Sequence, residues 1–207
     1  SGFPDELYKK AGARILPSAK DVYTKAEMII KVKEPQKSEF GYYRPGLILY
    51  TYLHLAAEPQ VTKMLLEKKV TSIAYETVEL PDGSLPLLTP MSEVAGRMAV
   101  HVGAWFLHKP HGGFGTLLGG VPGVPPAYVI ILGTGVVGTN ALKMAVGLGA
   151  HVHAIGRNLA QLRYLDDLYK GAIHTQVSHP LAIEEKLIHA DLVIGAVGTI
   201  LYGLIYL

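Results

Sequence analysis

The chain has no cysteine. That excludes disulfides and thiolate metal sites, and it fits a reducing, cytoplasmic setting. Neither sign of charge is in real excess: 19 Lys+Arg stand against 17 Asp+Glu, a formal net charge of +2. Such a balance argues against nucleic-acid binding through a basic face. No positively charged segment followed by an apolar stretch opens the sequence, so no signal peptide is expected. Residues 192–207 carry no charge but contain Gly195, Gly198 and Gly203. A membrane span needs about 20 apolar residues, so this run reads as a buried strand with an apolar extension and no membrane role. No internal repeat is evident.

What is present is an apolar content of 49% over 207 residues, enough for a real core in one large or two small domains. Short apolar strands alternate with helices. Helix is expected from Pro4 onward, at 18–26 with Ser18 as cap, and at 59–67. Strands are expected at 13–16, 28–32, 47–52 and 72–76, and a long helix at 90–107. Residues 109–126 form a Gly/Pro-rich junction that forbids regular helix. Beyond it come strands at 128–132, 151–155, 172–176 and 192–196, with helices at 136–146, 159–168 and 183–189. This alternation predicts a two-domain α/β protein with parallel sheets. Residues 1–126 would be an α/β body, and 127–207 the first half of a Rossmann-like, doubly wound nucleotide-binding domain.

The run Val129-Ile130-Ile131-Leu132-Gly133-Thr134-Gly135-Val136-Val137-Gly138 is a strand emptying into a Gly-x-Gly-x-x-Gly turn. Gly133 permits the tight turn, Gly135 lets backbone approach a pyrophosphate, and Gly138 lets the helix pack on the strand. The fingerprint alone is weak, but here strand, helix and second strand follow in the required order. The second strand ends Ile155-Gly156-Arg157-Asn158, with Gly156 where an acid that binds the adenosine ribose is expected. Loss of that acid removes an acceptor and a repulsion against a 2′-phosphate, while Arg157 adds a donor fork. One charge-assisted hydrogen bond is worth roughly 1.5–3 kcal/mol, which tilts the preference from NAD toward NADP. The other reading of Arg157 is a solvated loop arginine.

Lys31 and Lys33 flank Val32 at a strand end and are expected to point the same way. Two like charges there are unusual unless solvent or an anion receives them. Lys33 is thus a candidate for a substrate carboxylate, or else a salt-bridged surface lysine. His54 closes the next strand. Histidine titrates near neutrality, so this is a candidate proton carrier, or equally a satisfied structural histidine.

Several runs are more specific: Lys31-Val32-Lys33-Glu34-Pro35, Tyr52-Leu53-His54-Leu55-Ala56-Ala57, Ile73-Ala74-Tyr75-Glu76-Thr77-Val78 and Pro90-Met91-Ser92-Glu93-Val94-Ala95-Gly96-Arg97. With them go Gly119-Gly120-Val121-Pro122-Gly123-Val124-Pro125 and Ala190-Asp191-Leu192-Val193-Ile194-Gly195-Ala196-Val197. Together they resemble alanine dehydrogenase closely, and more distantly the nucleotide-binding subunit of proton-translocating nicotinamide transhydrogenase. The resemblance runs over nearly the whole chain up to Val197.

It implies reversible oxidative deamination of L-alanine to pyruvate and ammonia, with NAD or NADP, no metal, a homo-oligomer (a hexamer) and a cytoplasmic location. On this likeness residues 1–126 are the substrate domain; Lys33 holds the substrate carboxylate or carbonyl and His54 acts as acid/base. Ser92 lies beside the cofactor, where it otherwise reads as an ordinary helix residue. Gly133, Gly135, Val137 and Gly138 surround the pyrophosphate. Ala196 and Val197 lie on the nicotinamide side.

Three departures qualify the likeness. The family supplies a substrate-binding arginine before the point where this sequence starts, and a catalytic aspartate after Val197. Residues 198–207 do not resemble that continuation, so a chain truncated at both ends and slow or inactive by itself is expected. The third departure is Gly156. Other readings are a transhydrogenase-like nicotinamide-binding subunit, or an inactive fragment that retains only cofactor or partner binding.

Overall fold

A computed structural model describes residues 2–197 and the backbone of a short strand at 205–206. The chain divides into two compact units, Ser1–Leu88 and Thr89–Leu207.

The first unit contains α1 (Asp5–Lys10), α2 (Ala19–Lys25), β1 (Met28–Ile30), β2 (Ile48–Thr51), α3 (Pro59–Glu67) and β3 (Thr71–Ala74). Pro4 caps α1 from outside the helix, one position earlier than expected. The Ser18 hydroxyl accepts the Asp21 amide at 3.2 Å and so starts α2. Pro59 opens α3, where a missing N–H costs nothing, and Val61, Met64 and Leu65 bury one face. The three strands pair in parallel in the order β1-β2-β3. Tyr23, Ile29, Tyr43, Leu47, Leu49 and Leu53 complete the core with α3.

Three local expectations change here. Residues 13–16 form no strand: Ala13, Arg14 and Ile15 are exposed, so no apolar face is gained by pairing. β1 stops at Ile30, though Lys31 still donates to the Tyr50 carbonyl at 3.2 Å. β3 stops at Ala74, and Tyr75–Thr77 is a turn of 3₁₀-helix; a second one, at Lys37–Tyr42, had no clear signal.

The second unit holds α4 (Thr89–Leu107), β4 (Tyr128–Leu132), α5 (Val136–Gly147), β5 (His151–Gly156), α6 (Leu159–Tyr169), β6 (Ile173–Val177), α7 (Pro180–Leu187), β7 (Leu192–Gly195) and β8 (Ile205–Tyr206). The sheet order is β6-β5-β4-β7-β8; all pairs are parallel except β8 on β7. That is the half of a doubly wound sheet read from the sequence. Helix α7 begins at Pro180, ahead of the expected residue 183, because Pro suits a first helical turn.

Helix α4 packs within this unit, so the compact units meet at 88/89, ahead of the Gly/Pro junction and of the 126/127 division expected from sequence. Two glycines allow it. A Cβ on Gly96 would meet the Val137 carbonyl and Asn140 Cβ (2.9 Å), and one on Gly103 would meet Leu192 Cδ1 at 2.6 Å. The expected apolar extension at 198–204 and 207 lies outside the described residues. Among those described, no helix is long and apolar enough to cross a membrane, and no His/Cys/Asp/Glu group could hold a metal.

Candidate functional site

In the second unit the chain leaves β4 at Leu132 and turns through Gly133, Thr134 and Gly135 into α5. Gly133 has φ +107, and a Cβ there would run into the Ala196 carbonyl. At Gly138 a Cβ would strike the Gly133 carbonyl, so only glycine lets α5 sit this close to the turn. Gly135 caps α5, and a Cβ there would meet nothing within 4 Å. The turn therefore presents bare backbone and the positive end of a helix to open space, the arrangement that suits a phosphate anion.

That space is a cleft of about 910 Å³. Of the cofactor residues expected from sequence, Gly133, Gly135, Gly156, Arg157, Ala196 and Val197 line it. Ser92, Val137 and Gly138 are not among its lining residues. On α4 the cleft is lined instead by Thr89 and Glu93. Gly138 and Val137 serve the packing of α5, the first against Gly133 and the second against Gly96. Sequence reading missed Thr134, Gln161 and Ser178, which line the cleft near the ends of β5 and β6. Asn158 caps α6, its Oδ1 accepting the amides of Ala160 (3.0 Å) and Gln161 (3.1 Å). A glycine turn at a helix start and Arg157 at the end of β5, lining one cleft with Thr134 and Ser178, suit a dinucleotide.

In the first unit, Lys33, His54 and Glu76 each follow the C-terminal end of one of three adjacent parallel strands. Ligands bind at that edge of open parallel sheets. The two lysines do not share a partner, contrary to their expected common direction, because β1 has already ended. Lys31 Nζ lies 2.6 Å from Glu39 Oε1, half-buried, whereas Lys33 Nζ lies 3.0 Å from Glu34 Oε2 and its side chain is 71% exposed. Burial pushes the Glu34 carboxyl up, but hydrogen bonds from its own backbone, Lys33 and Gln36 outweigh this and hold it below the usual range. Thr51 Oγ1 donates to the carbonyls of Val32 (3.0 Å) and Lys33 (2.9 Å), fixing the backbone from which Lys33 departs.

His54 has φ +50, a left-handed conformation uncommon outside glycine. Its amide donates to Glu76 Oε1 at 2.7 Å, and the Leu53 amide donates to the same carboxylate at 3.1 and 3.2 Å. The imidazole lies parallel to the Tyr52 ring, centroids 6.1 Å apart, and the Tyr52 hydroxyl donates to the Leu87 carbonyl at 2.5 Å. Burial, then Tyr50 and Tyr52, raise the Tyr75 hydroxyl above its ordinary value. Glu76 was missed as a functional residue. Its signals are its place in the run 73–78 that carries the resemblance and its position just past a strand end, like Lys33 and His54.

Residues 1–95 match the family model described as "Alanine dehydrogenase/PNT, N-terminal domain", and residues 99–200 match the one described as its "C-terminal domain". The alanine dehydrogenase of Methanococcus maripaludis is 58% identical over 197 residues, 95% of this chain and 53% of that protein. The alanine dehydrogenase of Geobacillus stearothermophilus is 59% identical over 198 residues, again 95% of this chain and 53% of that one. Among solved structures, an L-alanine dehydrogenase superposes with a TM-score of 0.83 at 52% identity, over 95% of this chain and 54% of that one. A transhydrogenase from Sinorhizobium meliloti superposes with a TM-score of 0.71 at 25% identity, over 94% of this chain and 56% of that one. The chain spans about half the length of the curated relatives it matches.

Proposed function

Since the chain belongs to the alanine dehydrogenase/PNT family, we propose that the protein is an alanine dehydrogenase, which converts L-alanine reversibly to pyruvate and ammonia. The observation that carries this is 58–59% identity to proteins of that name over 95% of the chain. In this reading Lys33 Nζ binds the substrate carboxylate or carbonyl oxygen, held on a backbone pinned by Thr51. An imidazole nitrogen of His54 takes up and returns protons as alanine Cα loses its hydride, water adds to the resulting imine carbon and the C–N bond breaks to leave the carbonyl and ammonia. A nicotinamide cofactor, when bound, supplies the hydride acceptor for alanine Cα. The backbone of the Gly133–Gly138 turn holds its pyrophosphate, and Arg157, with no acid at Gly156, makes NADP(H) the preferred form. Assembly as a homohexamer in the cytoplasm belongs to the same proposal and rests on the family resemblance alone.

The test is alanine-dependent reduction of NADP⁺ and NAD⁺ by the purified full-length protein. Turnover is expected, and Lys33→Ala and His54→Ala should each lower it by about 100-fold or more, the range of general acid–base catalysis. The likeness to the Sinorhizobium meliloti transhydrogenase supports a second reading. Tight cofactor binding with no alanine turnover would favour it.

A further inference from the structure

The end of β5 and the glycine turn are tied together more closely than the motif requires. The Gly133 amide donates to the Ile155 carbonyl at 2.7 Å, which sets residue 134 directly beside residue 156. Gly156 is held from its other side as well, its carbonyl accepting the Ser178 amide at 2.8 Å. Thr134 is buried, 7% exposed, and its side chain fills the space over Gly156. A Cβ on residue 156 would lie 3.0 Å from Thr134 Cγ2, 3.3 Å from its Cβ, and closer still to Oγ1.

Rotation of Thr134 relieves this only in part, since vacating the Oγ1 position still leaves a γ atom 3.0 Å from the added Cβ. A threonine fills two of its three staggered γ positions, and both of the positions now filled face Gly156. Every other rotamer leaves a γ atom in one of them. With both backbones hydrogen-bonded in place, a side chain at 156 is crowded unless residue 134 is smaller. Among the described residues lining the cleft, Arg157 is the only cation and Glu93, on α4, the only carboxylate. The end of β5 thus offers a hydroxyl where many nucleotide folds offer an acid.

We propose that Thr134 is a second cofactor-specificity residue, coupled sterically to Gly156. It bars a carboxylate from the adenosine-ribose end of the cleft and leaves Arg157 unopposed for a cofactor bearing a 2′-phosphate. The proposal deepens the NADP(H) reading above and rests on it for the identity of the ligand. The steric coupling itself does not.

A double-mutant cycle tests it in the full-length protein: parent, Thr134→Ala, Gly156→Asp, and the two combined. Each is titrated with NADH and NADPH and melted without ligand. Gly156→Asp alone should lower the melting temperature and weaken both cofactors. Adding Thr134→Ala should restore the melting temperature and tighten NADH by at least about tenfold over Gly156→Asp, one charge-assisted bond's worth. Thr134→Ala alone should keep the preference for NADPH. Should Gly156→Asp not fold, Gly156→Ala reads the same cycle, since the Cβ alone makes the clash. Independent effects, with Gly156→Asp gaining NADH equally in either background, would overturn the proposal. A parent that prefers NADH would overturn the ligand reading, while a persisting non-additivity in melting would still support the steric pair.

Discussion

The carboxylate of Glu76 accepts the backbone amide of His54 at 2.7 Å, and that amide belongs to a residue with φ +50. A non-glycine residue in such a conformation costs on the order of 1–3 kcal/mol and persists only where its surroundings hold it. A hydrogen bond to a charged acceptor returns about 1.5–3 kcal/mol, and Glu76 makes further bonds to the Leu53 amide. Glu76 therefore has the strength to keep His54 in place. In Glu76→Gln, backbone amide exchange at His54 and Leu53 should quicken and alanine turnover should fall by about tenfold, the equivalent of one such bond. Unchanged exchange at both amides would refute the link.

The two lysines at the end of β1 should separate cleanly by substitution. Lys31 is half-buried on Glu39, whose Oε2 also accepts the Gln36 amide at 2.7 Å, so it anchors the 3₁₀ turn. Lys31→Ala should cost about 1.5–3 kcal/mol, the usual loss for a hydrogen-bonded charge. Lys33 points into solvent beside Glu34. Lys33→Ala should change stability by no more than about 0.5 kcal/mol, as exposed substitutions do. Its effect belongs in turnover alone. Urea unfolding of both variants, set beside their alanine-dependent activity, checks this.

What could be read in the sequence was what near neighbours decide. Pro59 and the apolar spacing through Leu65 mark α3 to the residue, and the glycine fingerprint marks β4, α5 and the cleft floor. What could not be read depends on partners far along the chain. Glu76 reaches a backbone 22 residues away, and Gly156 owes its lack of a side chain to Thr134 as well as to any ligand. The expected common direction of Lys31 and Lys33 assumed that strand geometry continued past Ile30. Helix α4 was legible as a helix, but Gly96 and Gly103, which seat it in the second unit, only gain meaning beside Val137 and Leu192.

That seating gives a third expectation. A methyl group on Gly96 would press on the Val137 carbonyl, on Asn140 Cβ at 2.9 Å and on the Ala141 amide at 3.0 Å. Asn140 has little freedom to yield, since it is buried, donates to the Val136 carbonyl at 2.9 Å and accepts from Arg97 Nε at 3.1 Å. Overpacking of this kind typically costs 1–3 kcal/mol, on the order of several degrees of melting temperature in a unit this size. Gly96→Ala should show that loss even though alanine favours helix over glycine. A raised melting temperature would mean that helix propensity outweighs the clash.

The last expectation concerns pH. His153 is buried in β5, with Tyr128 Oη 3.2 Å from Nδ1 and Gln176 Oε1 2.9 Å from Nε2. The Gln176 oxygen can only accept, so Nε2 carries the proton and Nδ1 receives the Tyr128 hydroxyl: a neutral ring with both nitrogens satisfied. Burial first, then the positive Lys186 and the neighbouring His174, lower the His153 pKa below 6.5 despite the opposing bond to Gln176. With the folded value depressed, the unfolded chain binds the proton first as pH falls. The stability contributed by neutral His153 is thus complete above about pH 6.5 and is lost as pH falls through that value toward the folded one. His153→Gln can donate to Gln176 and accept from Tyr128 without titrating. Urea unfolding between neutrality and mild acid should therefore give a shallower loss of stability for His153→Gln than for the parent, and equal slopes would mean that protonation of this ring is not what the acid limb reads.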